Sequence, residues 1–301
     1  MQQKTFQAVC FGEVLWDLLP TGAQPGGAPM NVAYHLQKCG LPTAMISRVG
    51  QDERGEQLLQ VLQRNGVTTE FVQVDTHHQT GIVHATPGSQ HEMSYEIVAP
   101  VAWDFIEADA KSLEIVSTAD YFICGSLAAR SSVSHQSLLQ YLEAARKKII
   151  DINLRPPHYT RELVSYLLKQ ASIAKLNDHE LTLMASWFDG PSASSDQVKW
   201  LQDHFTIPLI LITLGSKGAM VCQEGKIITH PGFPAVVADT VGSGDSFLAA
   251  FISKLQKGSS LSESLKFANA MGAFIASKKG ACPAYELEEV GAIAQGEANS
   301  Q

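Results

Sequence analysis

The residues best suited to chemistry lie in Asp239-Thr-Val-Gly-Ser-Gly-Asp245, which combines two glycines with a carboxylate. Apolar residues at helical spacing follow, so Gly242 and Gly244 are expected at a helix N-terminus. The unpaired N–H groups and the dipole of such an end attract an anion. A carboxylate beside an anion site is useful where a hydroxyl must lose a proton next to a phosphoryl group. The alternative is a plain glycine turn in which Asp245 only favours the helix dipole.

On the first interpretation, Asp245 is the catalytic base, and the backbone N–H groups of Gly242, Ser243, Gly244 and Asp245 itself form an anion hole. An aspartate with its ordinary pKa of about 4 is a weak base. Phosphoryl transfer, however, depends more on alignment than on basicity. Gly244 is expected to need a backbone conformation that is closed to residues with a Cβ.

Two side chains near the N-terminus are candidate ligands of a polyol. Asp17 ends a strand-like run, and Asn31 follows Gly26 and Gly27 at the predicted start of a helix. A carboxylate accepts hydrogen bonds and an amide both donates and accepts them, which suits adjacent hydroxyls. The two glycines allow a ligand to approach the backbone closely. The alternatives are an N-cap for Asn31 and a turn acid before Pro20 for Asp17.

Arg155 comes just after an apolar run, at the edge of an open sheet where active sites form. Its forked guanidinium suits phosphate oxygens, so we predict catalytic and substrate-binding roles for it. Asp151 and Asn153 alternate with Arg155 and would lie on the same side if the strand continued. The alternative is a structural salt bridge.

Apolar runs alternate with helical patterns along most of the chain, which is typical of a mostly parallel α/β sheet. The predicted strands are residues 8–11, 44–49, 121–125, 149–152, 173–176 and 209–214. The predicted helices are residues 31–38, 53–64, 134–147, 161–169, 196–204, 245–256 and 261–278.

The region 69–101 breaks this alternation. Its two strand-like runs, 80–86 and 93–98, flank Pro87-Gly-Ser-Gln-His91, which predicts a β-hairpin. A lone hairpin has too little core to be stable, so we expect it to pack with residues 14–19. The alternative is an ordinary surface hairpin.

The composition excludes several classes of protein. The chain has 301 residues, of which 45% are hydrophobic and 17% charged, with a formal net charge of −8. It can bury a large core, and without a basic patch it is not expected to bind nucleic acid. No apolar run is long enough for a membrane span, and the N-terminus resembles a strand rather than a signal peptide. Five scattered cysteines predict buried, reduced thiols and a cytoplasmic location.

The motifs resemble those of the ribokinase-like (PfkB) carbohydrate kinases. Asp239-Thr-Val-Gly-Ser-Gly-Asp245 resembles the family signature D-T-[TV]-G-[AS]-G-D, and Gly26-Gly-Ala-Pro-Met-Asn31 is similar to its G-G-x-x-x-N segment. Three further stretches resemble family motifs in the family's order: Asp151-Ile-Asn-Leu-Arg155, Asn177-Asp-His-Glu180 and Thr213-Leu-Gly-Ser-Lys-Gly218. Residues 12–20 and 102–104 look most like those of bacterial fructokinases.

The resemblance implies an α/β fold, a ribokinase-like three-layer sandwich with a mostly parallel central sheet. A single domain over residues 1–301 would carry a small β-sheet lid formed by 13–20 and 69–101. Asp17, Asn31 and Asp245 would contact the sugar, and Arg155 the transferred phosphate. In many family members the lid also mediates dimerisation, which implies a homodimer through the lid.

The resemblance also implies ATP and Mg²⁺ as cofactors. It assigns the nucleotide side to Lys175, Asn177, Thr213, Gly215, Gly218 and Asn269. Asn177 and Glu180 would organise Mg²⁺ through water, although their spacing equally fits a capping box. Backbone oxygens near Asp239 and Val241, and near Gly280, would bind K⁺. A hairpin turn at 213–218 and a packed core helix around Asn269 are the alternatives for those positions.

The expected activity is ATP-dependent phosphorylation of a primary sugar hydroxyl, with D-fructose as the acceptor and fructose 6-phosphate as the product. The partners are therefore a small sugar and ATP. Other acceptors, namely 2-keto-3-deoxygluconate, ribose or a nucleoside, are the alternatives, as is a catalytically inactive sugar-binding regulator. The chain has no P-loop motif, so it is not a P-loop kinase.

Overall fold

Two separate β-sheets organise the computed structural model, which describes residues 5–20, 22–87 and 93–296. In chain order the strands are β1 (Ala8–Phe11), β2 (Leu15–Leu19), β3 (Gly22–Gly26), β4 (Thr43–Gly50), β5 (Val72–Asp75), β6 (Gly81–Pro87), β7 (Met93–Ile97), β8 (Tyr121–Gly125), β9 (Lys148–Asp151), β10 (Ile173–Asn177), β11 (Leu209–Thr213), β12 (Ala219–Gln223) and β13 (Lys226–His230). The large sheet has the order β13-β12-β11-β10-β9-β8-β1-β4-β5, and the small sheet has the order β3-β2-β6-β7. From β11 to β5 all neighbouring strands of the large sheet run parallel, whereas β12 and β13 are antiparallel.

Helices cover both faces of the large sheet. They are α1 (Ala28–Lys38), α2 (Glu53–Arg64), α3 (Ala110–Thr118), α4 (Ser132–Ala144), α5 (Arg161–Gln170), α6 (Asp178–Trp187), α7 (Ser194–Phe205), α8 (Ser243–Gln256), α9 (Leu261–Ala276) and α10 (Leu287–Gln295). Side chains alternate along β1, so Val9 and Phe11 pack against α3 to α7, while Ala8 and Cys10 pack against the other helices. This is the predicted three-layer arrangement. Among the described residues, no helix is long and apolar enough to cross a membrane.

All six predicted strands are present, with ends that differ by at most one residue. The predicted helices are also present, but the first begins at Ala28 rather than Asn31, with Gly27 as its N-cap. Pro29 favours this earlier start, because proline is well suited to the first helical turn. The sequence analysis missed α3 and α10, and it gave α6 only as the capping-box alternative for Asn177 and Glu180, since its apolar residues do not gather on one side.

The small sheet confirms the predicted hairpin of β6 and β7 and its packing against residues 14–19. Strand β2 pairs parallel with β6 and antiparallel with β3. The hairpin loop, residues 88–92, lies outside the described residues. The predicted lid boundary at 69 is wrong, because Val72–Asp75 pairs with β4 at the edge of the large sheet. Strand β3, which the prediction omitted, belongs to the small sheet.

The five cysteines are free thiols. Four of them are buried, at positions 10, 39, 124 and 222, as predicted. Cys282 is instead partly exposed, since it follows α9 in the loop that borders the cavity described below.

Candidate active site

A cavity of about 700 Å³ lies between the small sheet and the edge of the large sheet where the parallel strands end. Residues just after β1 and β9 and at the ends of β10 and β11 line one wall, and side chains of the small sheet line the other. This crevice is where ligands bind in open α/β sheets. Its volume is in the usual range for small-molecule sites.

The N-terminus of α8 opens directly into this cavity. Its N-cap is Gly242, which has a φ of 77° and no side chain to cap the helix. A Cβ at Gly242 would collide with Ala281, so only glycine fits there. Among the described residues, the N–H groups of Gly244 and Asp245 have no hydrogen-bond partner, whereas the N–H of Ser243 donates to Thr240 at 3.3 Å. The N–H of Gly242 also has no partner among the described residues, so the predicted anion hole is open at three of its four donors.

Gly244 does not have the backbone conformation predicted for it. Its φ lies outside the left-handed region, so the backbone itself would accept another residue. A Cβ there would instead come within 3.3 Å of the Lys175 Nζ atom. The glycine that needs the special backbone is Gly242, because that residue makes the turn into the helix.

Asp245 occupies the third position of α8, and its carboxylate lies against α1. Its Oδ2 accepts a hydrogen bond of 2.8 Å from Asn31 Nδ2. Burial raises the pKa of Asp245 to about 6, and nearby Asp151 acts in the same direction. Lys175 and the bond from Asn31 oppose that rise in the pKa. The carboxylate is thus a stronger base than an ordinary aspartate.

Asn31 lies in the first turn of α1, and the N-cap alternative for it is wrong because Gly27 takes that place. The two glycines before it make room for acidic residues. A Cβ at Gly26 would collide with the Asp17 carboxylate, and a Cβ at Gly27 with the Glu13 carbonyl oxygen. Gly26 and Gly27 therefore allow neighbouring chain segments to approach each other closely, and Gly27 also lines the cavity.

Asp17 and Arg155 face the cavity from opposite sheets. Burial raises the pKa of Asp17 to about 6, and Arg155 counteracts this. Among the described residues Arg155 forms no ion pair, so the salt-bridge alternative is wrong; its Nη1 donates only to the Leu154 carbonyl, at 3.0 Å. The strand does not continue to Arg155, because Asn153 adopts a φ of 38°. Arg155 is therefore free to contact a ligand.

Lys175 brings a buried positive charge to the base of the cavity. Its Nζ donates to both carboxylate oxygens of Asp151, at 2.9 and 2.8 Å. Burial alone would lower the pKa of Lys175, but Asp151 and Asp245 outweigh it and the pKa is raised. Lys175 therefore stays charged beside the open end of α8.

Asn177 and Glu180 form the capping box of α6. Asn177 Oδ1 accepts from Glu180 N at 2.8 Å, and Glu180 Oε2 accepts from Asn177 N at 2.9 Å. Glu180 Oε1 accepts from Leu154 N at 2.7 Å. Burial raises the pKa of Glu180, with Asp151 adding to the rise. The capping alternative is confirmed, and of the two residues only Asn177 lines the cavity.

Of the other residues predicted to bind the nucleotide, only one lines the cavity. Thr213 lines the cavity, but Gly215, Gly218 and Asn269 do not. The hairpin-turn alternative is confirmed, since Leu214 N donates to the Gly218 carbonyl at 2.8 Å between the antiparallel strands β11 and β12. Asn269 is buried in α9, where its Nδ2 donates to the Leu265 carbonyl at 2.8 Å.

Asp239 holds together the two segments predicted to bind a monovalent cation. Its Oδ1 accepts from Val241 N at 3.0 Å, and its Oδ2 accepts from Gly280 N at 3.2 Å. Asp239, Val241 and Gly280 all line the cavity. In the part of the chain that the structure describes, no group of three His, Cys, Asp or Glu side chains could hold a metal ion.

Glu13 is a cavity residue that the sequence analysis missed. It follows β1, is buried, and has a carboxylate oxygen, Oε2, without a hydrogen-bond partner. Burial raises the pKa of Glu13 to about 7. The available signal was an acid directly after the apolar strand 8–11, at the same sheet edge as Arg155 and Asn177.

Comparisons with known proteins agree with this geometry. Probable fructokinase-4 of Arabidopsis thaliana is 30% identical over 318 residues, which cover 96% of each chain. The crystal structure of a fructokinase with bound ATP from Xylella fastidiosa has a TM-score of 0.84 at 21% identity, covering 97% of this chain and 99% of that one. A fructokinase from Vibrio cholerae O395 bound to fructose, ADP and calcium has a TM-score of 0.81 at 23% identity, covering 95% and 98%.

The two structures share the fold of this chain, which confirms the predicted ribokinase-like architecture. A model of the pfkB family carbohydrate kinases matches residues 11–287. The chain therefore belongs to the pfkB family of carbohydrate kinases.

Proposed function

We propose that this protein transfers the γ-phosphoryl group of ATP to the primary 6-hydroxyl of D-fructose. The observation that carries the proposal is the position of Asp245, whose carboxylate lies in the cavity at the open N-terminus of α8. A base and an anion site side by side suit the deprotonation of a hydroxyl that attacks a phosphoryl group. Relatives named fructokinase support this choice of acceptor.

In the proposed reaction, Asp245 takes the proton of the sugar hydroxyl. The hydroxyl oxygen forms a bond to the γ-phosphorus as the bond to the β,γ-bridging oxygen breaks, and ADP leaves. The unpaired N–H groups of Gly244 and Asp245 stabilise the charge on the moving phosphoryl group. The guanidinium of Arg155 binds its oxygens, and Lys175 adds a buried positive charge nearby.

The acceptor side of the cavity favours a neutral sugar. Glu13, Asp17 and Asp245 bring three acidic groups there, against the single unpaired cation Arg155 among the described lining residues. An anionic sugar acid such as 2-keto-3-deoxygluconate would be repelled by this arrangement. Asp17 and Asn31 instead offer hydrogen bonds to adjacent hydroxyls.

The donor groups support Mg²⁺ bound mainly by the nucleotide and water. Both Glu180 oxygens already accept backbone N–H groups, so this carboxylate would act on Mg²⁺ through water, together with Asn177. Mg²⁺ commonly keeps several waters and takes phosphate oxygens, where it neutralises charge on the transferred group. Thr213 and Lys175 extend the same wall for ATP. Backbone oxygens near Asp239 would bind K⁺.

We propose that the chain works as one kinase domain whose small sheet acts as a lid and pairs two copies into a homodimer. Strands β3 and β7 are the edges of that sheet, and Tyr95 on β7 exposes 55% of its surface. Such edges are sites of association between chains. Sedimentation velocity on the protein and on Tyr95→Lys tests the pairing; a monomeric wild type would overturn it.

A coupled ADP-release assay tests the proposed function. The acceptors are fructose, ribose, 2-keto-3-deoxygluconate and adenosine, each compared by kcat/KM under one set of conditions. We expect fructose to give the highest value. A higher value for another acceptor would overturn the fructokinase assignment, and binding without turnover of any acceptor would favour an inactive regulator.

A further inference from the structure

Glu13 is the buried acid of the cavity that the proposed reaction does not use. Only 4% of its surface is exposed, and it lines the cavity next to the N-terminus of α1. Its Oε2 is fully buried and has no hydrogen-bond partner among the described residues. Buried polar atoms are nearly always hydrogen-bonded, so an unpaired one calls for a partner that the protein does not supply.

The groups around Glu13 restrict what that partner can be. Asp245 on α8 and Arg155 after β9 line the same cavity and interact electrostatically with this acid, and Cys124 on β8 also interacts with it. Burial and Asp245 raise the pKa of Glu13, while Arg155 and the N–H groups of Glu13 and Ala28 oppose the rise. A phosphate would be repelled by two acids. A neutral hydroxyl suits the site, since it donates to a carboxylate and accepts from a carboxylic acid.

We propose that Glu13 is a specificity-determining residue whose carboxyl group binds one hydroxyl of the sugar acceptor. The inference rests on the proposed function, because it assumes that a sugar occupies this side of the cavity. A site built to bind a hydroxyl rejects an analogue without it, since the buried polar group is then left unpaired. Glu13 therefore selects for one particular hydroxyl.

The competing explanation is a purely structural role. Glu13 follows β1, and its backbone carbonyl lies against Gly27 at the start of α1. Removal of its side chain could then shift α1 together with Asn31. Such a shift would weaken the binding of every sugar by a similar factor, whereas a lost hydroxyl contact affects only sugars that carry that hydroxyl.

The test measures how each substitution of Glu13 changes the binding and turnover of several sugars. Glu13→Ala and the isosteric Glu13→Gln are each compared with the wild type for fructose and for its singly deoxygenated analogues, by kcat/KM and by calorimetry without ATP. We expect Glu13→Ala to weaken fructose binding on the order of tenfold or more. For one deoxy analogue the same substitution should change binding by less than about threefold. The affinity of Glu13→Gln for fructose should lie between those of the wild type and of Glu13→Ala.

An equal loss for fructose and every analogue would overturn the inference. If Glu13→Ala fails to fold, Glu13→Gln decides alone, because its amide preserves volume but changes the donor and acceptor pattern. Binding of fructose without phosphorylation would contradict only the proposed function. The affinities measured by calorimetry would then decide the role of Glu13. If the wild type bound no fructose but turned over another acceptor, the analogues of that acceptor would be used. Binding of no acceptor would contradict both.

Discussion

Two helices that start at the same sheet edge, α6 and α8, carry an acid at the same third position and use it differently. In α6, Glu180 and the N-cap Asn177 close the helix end with reciprocal hydrogen bonds. In α8 the N-cap is Gly242, which has no side chain, and Asp245 turns towards Asn31 and the cavity. One helix end is therefore saturated and the other is open.

The difference lies in the cap residue rather than in the acid. A capping side chain satisfies the N–H groups of the first turn and draws the acid at the third position back onto the backbone. A glycine leaves those N–H groups free for an anion and leaves the acid free for chemistry. The acid of α6 thus bonds to the backbone just after β9 and at the end of β10, whereas the acid of α8 is available to the substrate.

The largest effect should come from the acid of the open helix. We expect Asp245→Asn to keep the fold and to lower kcat by at least about 100-fold, because the base is lost while its volume and its contact with α1 remain. The matched variant at the closed helix is Glu180→Gln, which should lower kcat by less than about tenfold. Steady-state kinetics with saturating fructose and ATP measure both.

Equal losses in the two variants would break the comparison, as would near-normal turnover of Asp245→Asn. Circular dichroism serves as the control for folding. Glu180→Gln must also be checked for stability, since it replaces an acceptor that bonds to the backbone of Leu154.

The open cap itself should give the next largest effect. Gly242→Ala puts a Cβ at a positive φ and against Ala281, which should strain the turn by about 1–3 kcal/mol and lower kcat by on the order of tenfold. Gly291→Ala, in α10, is the matched control because nothing lies within 4 Å of its added Cβ. That substitution should leave kcat unchanged and stabilise the helix slightly. A harmless Gly242→Ala would show that the turn into α8 does not need a glycine.

The closed cap should matter more for stability than for rate, since its proposed contact with Mg²⁺ runs through water. We expect Asn177→Ala to lower the free energy of unfolding by about 0.5–2 kcal/mol, the usual effect of removing an N-cap side chain. His179→Ala, an exposed neighbour whose ring makes no hydrogen bond among the described residues, should change it by less than about 0.5 kcal/mol. Urea denaturation measures both. A loss of kcat larger than the loss in Gly242→Ala would assign α6 a direct catalytic role.

The sequence predicted six strands of the large sheet well because each is a short apolar run bounded by polar residues. The resemblance to the PfkB kinases also implied that Asp17, Asn31, Arg155 and Asp245 meet in one site, and all four line the cavity. Boundaries were less reliable. The start of α1 depends on whether Gly27 or Asn31 caps it, and the lid boundary depends on which sheet accepts residues 72–75.

Other features depend on contacts that a linear sequence does not contain. The ion pair of Lys175 with Asp151 forms between neighbouring strands, and its effect on Asp245 follows from topology. The choice between Gly242 and Gly244 as the strained residue required the backbone conformation. Glu13 lies in the segment 12–20 that resembles fructokinases, but only its burial and its unpaired oxygen mark it as a site residue.

The smallest expected effect is a change in how stability depends on pH. The pKa of Asp245 in the folded protein, about 6, is above its ordinary value of 3.8, so the folded state binds the proton more tightly. The resulting stability is present below about pH 4 and is lost as the pH rises through about 6. Asp245→Asn cannot ionise and does not suffer this loss. Its Tm relative to the wild type should therefore rise by roughly 2–4 °C from pH 5 to pH 8. Asp203→Asn, exposed on α7, is the control and should show the same relative Tm at both pH values. A relative Tm of Asp245→Asn that did not change with pH would mean that the carboxylate at the open helix end is solvated like a surface acid, which would contradict its description as a buried base of raised pKa.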